Sequence, residues 1–377
     1  MADLNNNKSF KMNNHAKAKT MKKQLNQLKS NGNIQNIKCN FLIKELFNMI
    51  PKKKSLLIIR FNKKLKNRIN ITIDDYKKYC EQYTTIEIEI IPAKGKYGLF
   101  YNRKDFINFH PYFNDDKTVT NKNYILKDDT VTKIKLVIDY PITSFKNLFY
   151  NCRCIESITF KKFYRTNITD MNHMFTKCKS LKEINFENFN TKNVTEMQYM
   201  FYKCLAIKRL NLFKFNTRLV TNMKYMFYKC SSLIELNVSN FATNNVINMN
   251  KMFFGCFALN KLNLSNFKTD NLIKMDDMFH GCSSLIELDI SNFNTRLVTD
   301  MRYLFFGCSS LKELDVSNFN TSNVSHMNYM FSGCSSLKKL DITNFNINKL
   351  VYYSDMFSGC SAELKRKIKA QNINIKV

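Results

Sequence analysis

Tryptophan is absent from the 377-residue chain, glycine (8) and proline (4) are scarce, and 30 acidic residues face 59 basic ones. So little glycine leaves no Gly-rich phosphate loop; Lys94-Gly95-Lys96 alone carries no such signal. Missing tryptophan together with abundant Asn and Lys points to an AT-rich coding sequence. That bias can raise the net charge to +29 without selection for an acidic partner. No apolar run approaches the roughly 18–20 residues that a bilayer span needs. The best stretch, residues 55–59, is short, and residues 1–30 lack the apolar segment of a secretory signal. What is present suffices for a folded protein: 44% of the residues are hydrophobic, over a length that suits two domains or a repeat array.

The repeat array is written in the cysteines. Cys152, Cys178, Cys204, Cys230, Cys256, Cys282, Cys308, Cys334 and Cys360 follow one another at steps of 26, with no insertion. Phe175, Phe201, Phe227, Phe253, Phe279, Phe305, Phe331 and Phe357 keep the same step, as do Phe163 through Phe345 and a Leu column containing Leu233 and Leu311. Within one coil, Leu314 and Val316 alternate with polar neighbours, the pattern of a short strand with one buried face. From Val298 to Cys308 the apolar residues recur at three- and four-residue steps, which predicts one or two helical turns with Thr299 as N-cap. Gly307 suits the turn out. Lysine holds that column at Lys177, Lys203 and Lys229, so a left-handed backbone is not expected to be mandatory there. The expected fold is an α/β repeat solenoid: a leucine-rich-repeat-like parallel β-ladder with one short helix per coil and a small α/β N-terminal cap. Eight to nine coils at the strand spacing give a length of roughly 40 Å.

The strand half, Leu311-x-x-Leu314-x-Val316-x-x-Phe319, resembles a leucine-rich repeat, with Phe where a buried Asn usually follows. Joined to the block from Asn318 to Leu337 (Asn-Phe-Asn-Thr-Ser-Asn-Val … Met-x-x-Met-Phe-x-Gly-Cys-Ser-Ser-Leu), it resembles the BspA-like leucine-rich repeat family over about residues 143–361. That resemblance implies a solenoid and a role in adhesion or protein recognition, often at a surface. It carries no catalytic residues. Free thiols and the lack of a signal segment point instead to an intracellular place.

Four parts are expected: a basic tail (1–39), a small α/β cap (40–140), the repeat array (141–361), and a basic capping helix with its tail (362–377). Within the cap, residues 41–50 and 73–83 are predicted helical and 55–61, 86–91 and 132–140 extended. Charge is uneven. Residues 1–70 carry 17 Lys or Arg against two acids, 141–230 carry 16 against 5, and 231–360 carry 10 against 11.

A stacked cysteine column is what buried thiols make, although neighbours about 5 Å apart could also form disulfides. Metal binding is disfavoured, because zinc ligands usually come as close pairs. The Phe and Cys columns (Cys178, Cys204, Cys230, Cys256, Cys282, Cys308 and Cys334, with Phe201, Phe227, Phe253, Phe279, Phe305 and Phe331) are therefore assigned to the core. The Met column, Met197 through Met327, shares their phase and joins them rather than a lipid groove. His173, His280 and His326 fall at different phases of the period, and no nucleophile motif or carboxylate pair stands out, so no catalytic residue and no cofactor are expected. The outward strand columns are the best candidates for an interaction face: Asn185, Asn211, Asn237, Asn263, Asp289, Asp315 and Asp341, and beside them Ser239, Ser265, Ser291 and Ser317. They could equally be a structural ladder hydrogen-bonded along the stack. The partner expected is another protein; nucleic acid or an anionic surface could engage residues 1–70.

Overall fold

The computed structural model describes residues 84–102, 108–346 and 352–371, together with Leu65 and Asn67. The basic tail, the expected elements at 41–50, 55–61 and 73–83, and the end of the chain beyond 371 lie outside the described residues. The chain divides into two units between residues 79 and 80, and nearly all described residues belong to the second.

That unit begins with strands β1 (Ile86–Pro92), β2 (Gly98–Leu99), β3 (Phe109–Phe113), β4 (Tyr124–Ile125) and β5 (Ile134–Ile138). The first coil contributes β6 (Ile155–Lys162) and the second β7 (Glu183–Asn185). Five of these form one sheet in the order β3-β5-β1-β6-β7. Ile86, Ile88 and Ile90 of β1 and Ile134, Leu136 and Ile138 of β5 are fully buried, as period-two alternation over one core face requires. Pairing is antiparallel between β1 and both β5 and β6, then parallel from β6 to β7. Strand β6 is thus where the antiparallel sheet becomes the repeat. On the polar face Lys162 reaches Glu87 at 2.7 Å, and Lys161 reaches Glu89 at 3.1 Å.

Later coils each supply a very short strand: β8 (Arg209–Asn211), β9 (Glu235–Asn237), β10 (Lys261–Asn263), β11 (Glu287–Asp289), β12 (Glu313–Leu314) and β13 (Lys339–Leu340). Pairs such as Leu210 with Leu236 and Leu262 with Leu288 are parallel and one repeat apart. A second parallel ladder runs through single bridges, Ser144 to Asp170 and onward in equal steps to Tyr352.

The expected short helix in every coil is not there. Among the described residues from 84 onward the helix is α1 (Ala362–Gln371), beyond the last coil, where the sequence predicts a basic capping helix. The stretch from Met301 to Cys308 is a run of turns instead. Leu304, Phe306 and Cys308 donate back three residues, to Met301, Tyr303 and Phe305. Between them Met301, Tyr303, Phe305 and Gly307 donate to His326, Asn328, Met330 and Ser332 in the next coil. Every second N–H is therefore spent on the neighbouring coil, which an α-helix cannot allow. The alternation needs a left-handed residue twice per coil, such as Tyr303 (φ 55°) and Gly307 (φ 69°). Lys177, Lys203 and Lys229 adopt that conformation too, so the backbone keeps its hand at this position whichever residue occupies it.

The core is a set of files. Phe149, Phe175, Phe201, Phe227, Phe253, Phe279, Phe305, Phe331 and Phe357 stack with centroids 5.4–5.7 Å apart, within the range of offset stacking. A buried threonine file joins it: Thr217 Oγ1 donates to the Ala242 carbonyl at 2.9 Å, and Thr243 Oγ1 to that of Lys268 at 2.9 Å. At the far end α1 buries Leu364 and Ile368. Its Gln371 closes the last strand, accepting from Ile342 N and donating to Leu340 O. No helix among the described residues is long and apolar enough to cross a membrane.

Candidate interaction surfaces

The strand columns singled out in the sequence form an outward wall. Asn185, Asn211, Asn237, Asn263, Asp289, Asp315 and Asp341 are exposed, as is Ser317, while Ser239, Ser265 and Ser291 are half-buried. The hydrogen bonds of their side chains stay within each coil. Asn237 Oδ1 accepts from Ser239 N and Oγ (3.2 and 2.8 Å), and Asn263 accepts likewise from Ser265. Asp289 does the same with Ser291, and Asp315 accepts from Ser317 N. In the earlier coils Asn211 accepts from Phe213 N and Asn185 from Glu187 N. Each is an Asx turn that ends its strand. These bonds to Ser317 hold the Asp315 carboxyl below the usual carboxylate range, the hydroxyl contributing most. Thr343 does the same for Asp341, mainly through its backbone N–H.

Bonds along the stack come from a neighbouring column that the sequence reading passed over. Asn240, Asn266 and Asn292 each donate Nδ2 to a carbonyl one coil back, on Phe213, Ser239 and Ser265. Beside the Asx column runs an outward charge column whose ion pairs cross coils: Arg209 to Glu235 at 3.2 Å, Lys261 to Glu287 at 3.9 Å, and Lys339 to Glu313 at 3.4 Å. Two shallow open depressions lie on this wall, one of about 700 Å³ around Arg209, Glu235 and Lys261 and one of about 890 Å³ around Glu287, Glu313 and Asp315.

The core columns sit where nothing outside can reach them. Cys178, Cys204, Cys230, Cys256, Cys282, Cys308 and Cys334 are buried, with Phe201, Phe227, Phe253, Phe279, Phe305 and Phe331. Each of these thiols donates to a phenylalanine carbonyl of the preceding coil at 2.9–3.2 Å. The ten described cysteines are all free, and no group of described residues could hold a metal ion.

A further face was missed altogether, on the run of turns. Half-buried rings stack there in two files at the repeat step: Tyr202 on Tyr228 and Tyr228 on Phe254 (both 4.7 Å), and His173 on Tyr199 and Tyr199 on Tyr225 (4.4 and 4.7 Å). Lysine ammoniums lie over them, Lys203 at 5.2 Å from the Tyr202 centroid and Lys224 at 5.7 Å from Tyr199, distances at which a cation is attracted to a ring. The signal was available, since Tyr202 and Tyr228 keep the same step as Cys204 and Cys230. Burial, and then nearby Lys146, lowers the pKa of His173. Farther along the face turns acidic at Asp276, Asp277 and Asp300. Burial raises the pKa of Asp276, and its two acidic neighbours add to the rise.

Comparison with known proteins gives one family and one solved structure. The family model described as "Mycoplasma protein of unknown function, DUF285" matches residues 143–262, 203–289 and 282–375, a run covering well over half of the chain. A search of curated proteins found no match. A leucine-rich repeat protein from Bacteroides ovatus, known from a crystal structure, is 16% identical, with 70% of this chain and 79% of that chain aligned at a TM-score of 0.33.

Proposed function

The chain belongs to the family described as Mycoplasma protein of unknown function, DUF285, and from that premise we propose that it is a non-enzymatic scaffold whose strand wall binds another protein. Its array is a leucine-rich repeat solenoid of BspA-like type spanning 141–361, with residues 40–140 as N-terminal cap and 362–377 as C-terminal cap. The observation that carries this reading is the wall itself. Asx turns fix the Asn and Asp side chains, and alternating charges such as Arg209, Glu235 and Lys261 stand exposed beside them. A rigid polar wall with few side chains left to order loses little entropy on binding. Its mixed signs suit a protein partner with complementary charge better than a uniform polyanion.

The charges, not the Asn column, are the residues to change, because the Asn side chains hold turns. Glu235→Lys combined with Lys261→Glu leaves every Asx turn intact. The double variant sets like charges beside Arg209 and Glu287 and is expected to melt within a few degrees of the parent, while losing at least about tenfold in affinity for a partner first identified by cross-linking to the wall. Unchanged affinity would remove the wall from the interaction.

A further inference from the structure

The turn face carries more than packing requires. Just before each cysteine the later coils use glycine in a left-handed conformation: Gly255, Gly281, Gly307, Gly333 and Gly359, at φ 69–76°. Three earlier coils hold Lys177 (φ 62°), Lys203 (57°) and Lys229 (53°) in that same conformation, which a side chain resists. Strain kept where glycine would relieve it points to a use for the side chain. Among the described residues none of the three pairs with a carboxylate. Lys177 Nζ lies 3.3 Å from the Tyr150 hydroxyl. Lys203 lies over Tyr202, and Lys229 at 5.6 Å over Tyr228.

We propose that this strip, from Tyr150 to Lys229, binds the sugar–phosphate backbone of a single-stranded nucleic acid without reading its bases. Three successive coils each present one ammonium, Lys177, Lys203 and Lys229, at the strand spacing of about 4.8 Å, and the phenol hydroxyls of Tyr150, Tyr202 and Tyr228 stand beside them, the tyrosine column being interrupted at Thr176. Such a file fits an anion repeated at regular intervals, which the scattered carboxylates of a folded protein do not offer. It is also narrow and ends against Asp276, Asp277 and Asp300, which would repel an extended anionic membrane. Stacking at 4.7 Å covers the ring faces, so bases have no free platform and only backbone contacts remain. Binding here is independent of the strand wall, which lies on other columns.

The test uses the full chain and a Lys177→Gly, Lys203→Gly, Lys229→Gly variant, glycine being what later coils carry at this position. The probes are a labelled oligothymidine of about twenty nucleotides and an abasic strand of equal length, followed by fluorescence anisotropy between about 50 and 200 mM salt. The parent is expected to bind both probes within about threefold. The variant should fold with an unchanged circular dichroism spectrum and lose at least about tenfold in affinity. Its log–log salt slope should become shallower by about 2, from three lost phosphate contacts at about 0.7 each. If the triple glycine variant misfolds, Lys203→Gln with Lys229→Gln serves, with about two thirds of that slope change. The proposal is overturned if the parent does not bind, or if the folded variant keeps the parental affinity and slope. It is equally overturned if oligothymidine binds far more tightly than the abasic strand, or if anionic phospholipid vesicles or a heparin-type glycan bind more tightly at equal salt.

Discussion

The Cys282 thiol donates to the Phe253 carbonyl of the preceding coil across 3.2 Å, and Cys230 does the same to Phe201 across 3.1 Å. Burial pushes both thiols up to about 12, so the fold holds them protonated. An unfolded thiol ionises near pH 8.5. Above that the native form keeps protons that the unfolded chain gives up. The stability tied to them is complete below about pH 8.5 and drains away as pH climbs toward 12. The unfolding free energy from urea curves should hold between about pH 7 and 8, then fall steeply, by up to about 1.4 kcal/mol per thiol per pH unit, and the midpoint with it. Cys230→Ala with Cys282→Ala should make that fall shallower; a midpoint that stays level to about pH 10 in the parent would contradict the argument.

Glycine matters in this array where backbones meet. A Cβ on Gly333 would lie 3.3 Å from both Cα and N of Gly307, at φ +76°. Gly95 has a similar backbone, φ +68°, but open space around it. Gly95→Ala should therefore cost only the left-handed penalty, about 1 kcal/mol. Gly333→Ala also requires the facing Gly307 backbone to give by a few tenths of an ångström, and about 2–3 kcal/mol is expected. Paired denaturation curves would check the difference, which disappears if the coils can part freely.

Much of the fold was legible because the 26-residue step survives intact, so Cys178 through Cys334 and Phe201 through Phe331 align without any knowledge of packing. The strand was legible from Leu314 and Val316. The turn run was not. Met301, Leu304, Phe305 and Cys308 have helical spacing, and what forbids the helix is that Tyr303 and Phe305 donate into the next coil. A bond between residues 25 apart leaves no trace in a local pattern. Periodicity also does not say which way a column points. Phe253 is buried and Phe254 half-buried; the first belongs to an unbroken Phe column and the second to one that is aromatic from Tyr202 to Phe306, and only the first was read. For the Asx column the sequence allowed a ladder along the stack or a free face. Asn237 bonds Ser239 in its own coil, while the adjacent Asn240 makes the bond between coils.

Asp315 and Asp341 give that arrangement a measurable signature. Both carboxyls sit below the usual range, through the hydroxyl and N–H of Ser317 and the N–H and hydroxyl of Thr343. A depressed folded value means that their contribution to stability is present above about pH 4 and lost as pH falls through the folded value. Carboxyl NMR titrations should place both midpoints below that of an ordinary aspartate. Asp315→Asn keeps the acceptor and should be close to neutral, whereas Asp315→Ala should cost about 1 kcal/mol. Equal effects from the two changes would show that the turn does not depend on the bond.

Arg165 is the joint between the first strands and the repeat. It is fully buried, and its guanidinium donates to three carbonyls: Nε to Thr84 (2.5 Å), Nη1 to Tyr140 (2.5 Å) and Nη2 to Ile138 (3.0 Å). Burial pulls its pKa down to about 10, with nearby Asp139 opposing, so the group remains charged at neutral pH. Thr84 precedes β1 and Ile138 ends β5, so one planar fork ties neighbouring strands to the segment that follows β6. Arg165→Met relieves the desolvated charge but leaves three carbonyls without this donor, and a net loss of about 3 kcal/mol is expected. Arg165→Lys keeps the charge but offers one ammonium in place of a fork that spans all three acceptors, so it should recover less than half of the loss. Hydrogen exchange distinguishes a local joint from a general weakening. Protection should fall first at the β1–β5 pairing (Ile86 with Ile138), while the Leu262–Leu288 pairing in the middle of the array should hold until global unfolding. Uniform loss of protection along the whole array would mean that Arg165 supports the repeat itself and not the junction.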